Sequence, residues 1–268
     1  MSDHQASEQM VGYLYQVRYA LALLLDDDNS DSQISIEKFD DVAFVDGNTP
    51  IERIQLKHHV RKAGNLTDKS TDLWRTLKVW LDVVSKSPDI IEGTEFLIIT
   101  TASAPNNTVA FSLRKENRSQ RDADMIDALY EKLKGVCTDS ESQGNQKFYE
   151  AFLAADEKLA KGLINKIYIL DNASNIVDVE KSIRKQVRYS CDRKYEDKVM
   201  ERLEGWWYRK AIEGLCSDTP IFILQDQVRS YIVSTGQEYA ADNLPIDIFD
   251  LGDDQTNESS AIDKTFYQ

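Results

Sequence analysis

The stretch QISIEKFDDVAFVDGNTPIERIQLKHH, residues 33–59, decides the fold of this chain. Gln33 to Lys38 alternates, with Ile34 and Ile36 on one side, and Val42 to Val45 is continuously apolar. Such runs predict two short strands flanking Phe39-Asp40-Asp41. Asp46-Gly47-Asn48-Thr49-Pro50 carries the residues of a tight turn. Glu52 to His59 then alternates again, with Ile54 and Leu56 on one face and Gln55 and Lys57 on the other. The segment therefore reads as a β-meander with polar side chains at its end.

Upstream, Val11, Leu14, Val17, Leu21 and Leu24 recur at helical spacing, which predicts a helix over Ser7 to Leu25. Asp26 to Ser32 is acidic and reads as a loop. Downstream, Ser70 or Thr71 can cap a helix running to about Lys86, with Leu73, Trp74, Leu77, Leu81 and Val84 as its apolar stripe. Trp74 and Trp80 read as packing residues. Glu95 to Thr101 and Lys166 to Leu170 are near-continuous apolar runs, expected for strands buried on both faces. Helices are expected near Asp122–Gly135 and Gln146–Lys161, and then over Val179–Tyr189, Tyr195–Leu215 and Leu224–Gly236. Adjacent Trp206 and Trp207 must face different sides of their helix, one inward and one toward an interface. The order predicts an α/β fold, a central mixed sheet flanked by helices and followed by a helical C-terminal region. A soft boundary falls near residues 172–178.

The 268 residues, 41% of them hydrophobic, suffice for a real core, and 29% charged is a globular value. No stretch approaches the ~20 apolar residues of a membrane span, and the start lacks a signal-peptide layout, so a soluble cytoplasmic protein is expected. Cys137, Cys191 and Cys216 are widely spaced and form no CxxC pair, which points to reduced thiols. A net charge of −14 argues against nonspecific coating of nucleic acid. The charge is uneven: residues 181–210 hold ten Lys/Arg against five Asp/Glu, and Ser112 to Arg121 holds four basic residues against one acid. These segments read either as solvated helix faces or as surfaces for a phosphate backbone. There is no GxxxxGK[ST], HExxH, GxSxG or deaminase-type cysteine pair, so P-loop, zincin, serine-hydrolase and deaminase chemistry have no support.

Asp41 with Gln55-Leu56-Lys57 carries the chemistry. Metal-dependent phosphodiester hydrolysis needs hard oxygen ligands and positive charge for the developing anion. Gln55 and Lys57, two apart on a strand, point the same way. The Gln55 side-chain oxygen and the Leu56 backbone carbonyl can serve a metal beside Asp41. His58 and His59 either end an exposed strand or touch substrate, where a histidine can carry a proton near neutral pH. Asp40 is a second ligand or a turn residue.

The runs GYLYQVRYALALLL (12–25), ISIEKFDDVAF (34–44), IQLKHH (54–59) and LTDKSTDLWRTLKVWL (66–81) closely resemble the PD-(D/E)XK double-stranded-DNA endonuclease domain of bacterial anti-phage effectors. This restriction-endonuclease-like, Mrr-related branch includes cyclic-oligonucleotide-activated endonucleases, HerA-associated nucleases and proteins of ABC three-component systems. The resemblance covers about residues 10–102. A looser one lies in LEGWWYRKAIEGL (203–215) with Asn243-Leu244-Pro245. That one is to the helical region that follows such nuclease domains, whereas the nuclease-domain resemblance implies Asp41 as main metal ligand, Gln55 at the second acidic position, Lys57 as catalytic lysine, and Glu37 as a further acid. Gln16, in the Tyr-Gln pair, and His58 would support the site. The departure is the amide at position 55, which lowers the formal charge around Mg²⁺ or Mn²⁺. Lys57, Arg61, Lys62, Arg118 and Arg121 are the candidate contacts to duplex DNA.

The expected organisation is a nuclease domain over 1–175, a helical region over 176–245 for oligomerisation or partner binding, and an acidic flexible tail over 246–268. The expected function is a Mg²⁺-dependent endodeoxyribonuclease of anti-phage defence, working as a homo-oligomer or with a partner such as a HerA-like ATPase. The alternatives are a degenerate nuclease fold serving as sensor or scaffold, and a nuclease directed at RNA.

Overall fold

The computed structural model describes residues 3–58, 64–140 and 143–239. The expected acidic tail and Asn243-Leu244-Pro245 lie outside them. The chain opens with α1 (Asp3–Asp26) and the meander β1 (Gln33–Ile36), β2 (Val42–Asp46) and β3 (Thr49–Lys57). It continues through α2 (Thr71–Lys86), the single turn α3 (Ile90–Gly93), β4 (Glu95–Thr100) and the short α4 (Val109–Ser112). Next come α5 (Ala123–Asp139), α6 (Gln146–Ala154), α7 (Glu157–Lys166) and β5 (Ile167–Leu170). The last part is α8 (Ile176–Val187), α9 (Glu196–Cys216), β6 (Ile223–Leu224) and α10 (Gln225–Glu238).

Six strands form one mixed sheet in the order β5-β4-β3-β2-β1-β6. β1, β2 and β3 pair antiparallel, whereas β3, β4 and β5 run parallel. The alternation of β4 shows why both faces are covered. Phe96 and Ile98 enter one cluster with α2, α5, α6 and α7. Leu97 and Ile99 face the other, with α1, α8, α9 and α10. This is the expected α/β class: a central mixed sheet flanked by helices, with a helical C-terminal region.

Beyond residue 175, Val179, Ile183, Leu203 and Trp207 bury against Leu21, Ile34 and Ile54. Trp207 is fully buried and its indole N–H donates to the Val17 carbonyl at 2.6 Å. Trp206 is half-buried and stacks on Tyr231 of α10, with ring centres 4.7 Å apart. Burying one such aromatic contributes about 2–3 kcal/mol. All three cysteines are free. No helix among the described residues is long and apolar enough to cross a membrane.

Two elements differ from the sequence expectation. The helix expected over Gln146–Lys161 is two, α6 and α7, because Asp156 caps a new start: its side chain accepts from the Leu159 N–H at 2.9 Å. The first strand ends at Ile36 rather than Lys38, because Glu37 turns the chain in a left-handed conformation (φ 57°). The two-residue β6 carries too little pattern to be read in advance.

Candidate active site

The end of β3 lies between α1 and α2. Ile54 and Leu56 pack toward α1, so Arg53, Gln55 and Lys57 face the α2 side. Arg53 is buried, donating to the Phe39 carbonyl at 2.6 Å, and so helps fix the β1–β2 connection. That connection is tight: the Glu37 N–H donates to the Asp41 carbonyl at 3.0 Å. A non-glycine residue with positive φ is uncommon and persists where its surroundings over-determine it. Glu37 thereby stands beside Asp41 at the mouth of a cleft of about 460 Å³.

The network at this end is continuous. The Leu56 N–H donates to Asp41 Oδ2 at 2.7 Å, and Gln55 Nε2 donates to Asp41 Oδ1 at 2.9 Å. Gln55 Nε2 also reaches Asp40 Oδ1, whose other oxygen accepts from the Trp80 indole at 2.6 Å. Lys57 Nζ donates to Gln55 Oε1 at 2.8 Å. The amide at position 55 thus has a positive task. Its NH₂ bridges two neighbouring carboxylates, which a carboxylate in its place would repel. One face of its oxygen is occupied by Lys57, so Gln55 organises the acids more than it presents a free ligand oxygen.

The acids are electrostatically loaded. Burial, then Asp41 and Asp40, push the Glu37 carboxyl up to about 7, against the pull of Lys57. Burial pushes Asp40 up to about 6, although the Trp80 and Gln55 hydrogen bonds oppose it. Asp41 is raised by burial too, opposed by Lys57, Leu56, Gln16 and Gln55. Asp40 is buried and turned toward Trp80, so of the adjacent pair Asp41 is the one lining the cleft.

A divalent cation fits the residues at this end. The Gln16 amide hydrogen-bonds Asp41, while its Oε1 is buried with no hydrogen-bond partner. Three crowded, raised carboxyls are a concentration of negative charge that a cation would relieve. Leu56 turns its N–H to Asp41, so strand geometry sends its carbonyl to the same edge. Among the described residues no group of three or more His, Cys, Asp or Glu is arranged for a metal. The oxygens that would serve a cation at this end are those of Asp41 and Glu37 with amide and backbone oxygens beside them. Mg²⁺ ordinarily uses one or two carboxylates and keeps several waters.

The other expected residues divide. His58 lines the cleft, with its ring 4.3 Å from that of Tyr15, whose hydroxyl donates to the Ser174 carbonyl. Arg61, Lys62 and His59 lie outside the described residues. Arg118 and Arg121 are not brought to the site. Lys57 pairs with Thr100, whereas Arg118 binds Glu95 at the other end of β4, at 2.9 Å. Those ends are roughly 17 Å apart at ~3.3 Å per strand residue. Arg121 is spent on the carbonyls of Ile167 (2.6 Å) and Leu113 (2.7 Å), and both guanidinium groups lie over Tyr168. Tyr13 of α1 and Asp72 and Arg75 of α2, absent from the sequence expectation, also line the cleft. Their spacing from Gln16 and from each other, three residues on a helix, was the available signal.

No family model matches this chain, and no curated protein matches it. Among solved structures it is similar to the Cap4 SAVED/CARF-domain containing receptor of Moraxella osloensis, at 15% identity and a TM-score of 0.48, over 86% of this chain and 49% of that one. It is also similar to the Acinetobacter baumannii Cap4 SAVED/CARF-domain containing receptor with the cyclic trinucleotide 2'3'3'-cAAA, at 13% identity and a TM-score of 0.44, over 85% of this chain and 45% of that one. The chain spans about half the length of these solved structures. At such distance they carry no argument about the site, whose reading rests on the residues themselves.

Proposed function

We propose that this chain is a Mg²⁺- or Mn²⁺-dependent endonuclease that cuts double-stranded DNA in bacterial anti-phage defence, held quiet until a partner or its own assembly engages it. One observation carries the reading. A single hydrogen-bonded network sets the Asp41 carboxylate, the Leu56 edge and the Lys57 ammonium together at the mouth of an open cleft. Asp41 and Glu37 would hold the cation with the Leu56 carbonyl, and Gln16 would complete the shell. When bound, the metal supplies Lewis-acid polarisation and neutralises phosphate charge. Lys57, oriented by Gln55, offers its ammonium to the charge that develops on the phosphoryl oxygens. Duplex DNA, rather than RNA, and the defence setting follow from the resemblance of residues 10–102.

Plasmid cleavage tests this. Wild type with Mg²⁺, at protein concentrations high enough for it to assemble, is expected to linearise or nick plasmid, EDTA to stop it, and Lys57→Ala to slow it by roughly 10²–10³-fold. Equal nicking by wild type and Lys57→Ala sinks the reading. The amide at position 55 favours a second reading, a degenerate nuclease fold acting as sensor or scaffold. A calorimetric titration in which Mg²⁺ binding does not depend on Asp41 would favour it.

A further inference from the structure

The cleft has two walls that the reading above does not use. From α1, Tyr13 stands one turn before Gln16 on the same helix face, 62% exposed despite its large aromatic surface. From α2, Arg75 stands one turn after Asp72, exposed, with no ion pair or hydrogen bond to any described residue. Other arginines near the sheet are committed: Arg53 to Phe39, Arg114 to Asp171, and Arg121 to backbone carbonyls. Lys57 and Arg75 are the Lys/Arg side chains lining the cleft among the described residues, and Lys57 is already tied to Gln55. An unengaged guanidinium and a bare aromatic ring across one polar cleft are the two chemistries that hold a nucleic-acid strand. The first grips a phosphate through paired N–H groups, and the second lies against sugar or base.

We propose that Arg75 is the residue that positions the substrate strand, by binding a backbone phosphate next to the scissile one, and that Tyr13 packs against the adjoining nucleoside. The assignment rests on the reading of this cleft as a phosphodiester site and specifies how its substrate is held. The acids at the cleft mouth repel a polyanion, and Arg75 offsets that repulsion without contributing to the metal shell.

The test is binding of a short fluorescein-labelled DNA duplex by anisotropy, in Ca²⁺ in place of Mg²⁺, over a series of salt concentrations. Arg75→Gln is expected to weaken binding about 10-fold at low salt and to reduce the slope of log K against log [salt] by about 0.9. Tyr13→Ala is expected to weaken binding several-fold with the slope unchanged, since it removes no charge. Lys86→Gln, at the far end of α2, removes one exposed cation away from the cleft and is expected to leave both Kd and slope unchanged. In Mg²⁺, Arg75→Gln should raise KM with little change in kcat. All three positions are at the surface, and matching thermal melts verify folding.

An Arg75→Gln variant with wild-type Kd, slope and KM overturns the assignment while leaving the nuclease reading intact if wild type still cleaves. Wild type that binds duplex through Arg75 but does not cleave in Mg²⁺ even at concentrations where it assembles sinks the nuclease reading and supports the assignment. Wild type that binds no duplex at all overturns it, as does a Lys86→Gln effect equal to that of Arg75→Gln.

Discussion

The two ends of the parallel strands carry similar side chains in opposite conditions. At the carboxyl end of β3, Asp41, Glu37 and Lys57 line an open cleft; Glu37 is pushed up to about 7, the buried Asp40 behind the cleft to about 6, and the Gln16 amide oxygen is buried without a partner. At the amino end of β4 and β5, Arg118 pairs with Glu95, Arg121 donates to the Ile167 and Leu113 carbonyls, and both lie over the face of Tyr168. One end gathers raised carboxyls at an open cleft, and at the other the guanidinium groups are engaged by protein partners. The lesson is that a basic or acidic run in sequence does not say whether its charge is available. Availability depends on whether neighbouring donors and acceptors consume it, and function collects where they do not.

The strongest challenge to this contrast is Gln55→Glu. It restores an acid at position 55 but removes the N–H donors that Asp40 and Asp41 share. The metal-free protein is expected to lose about 3 kcal/mol of stability at mildly alkaline pH. Thermal melting should show Mg²⁺ recovering more of that variant's Tm than it adds to wild type. A metal-free variant as stable as wild type would mean that the site end is not charge-loaded.

Next in size is Arg121→Gln. Its guanidinium ties the end of α4 to the start of β5 through the Leu113 and Ile167 carbonyls. Replacement is expected to cost about 2 kcal/mol in urea unfolding, with cleavage per folded molecule unchanged. Lost cleavage at full stability would place Arg121 on the substrate path and erase the contrast.

The smallest effect is on pH. Glu37 binds its proton more tightly folded, near 7, than unfolded, near 4.5. Its stabilising contribution is therefore complete below about 4.5 and lost as pH rises through about 7. Melting of the metal-free protein between those values should show a downward trend that Glu37→Gln flattens. A Glu37→Gln curve parallel to wild type would show that Glu37 does not feel the acid pair.

Much of the sheet was legible because its signals are local. The Asp46–Pro50 turn fixes the β2–β3 hairpin, alternation puts Gln55 and Lys57 on one face, and the EFLIIT run needs cover on both sides. Asp41, Gln55 and Lys57 could be paired in advance because one hairpin joins them, and Gln16 was placed by resemblance. The rest depends on distant packing. The Asp40–Trp80 bond spans 40 positions and shows only once α2 lies on the sheet. Arg75 and Tyr13 face one cleft because two helices flank β3, which no local pattern encodes. Arg118 and Arg121 look available in sequence because the carbonyls and the Glu95 that occupy them come from other elements.

The most direct test of the account is a single plasmid-cleavage time course of wild type, Lys57→Ala and Arg121→Gln, each with Mg²⁺ and with EDTA. Wild type and folded Arg121→Gln are expected to cut in a Mg²⁺-dependent way, and Lys57→Ala to cut roughly 10²–10³-fold more slowly. Cutting by Lys57→Ala at the wild-type rate, or cutting that persists in EDTA, would contradict it.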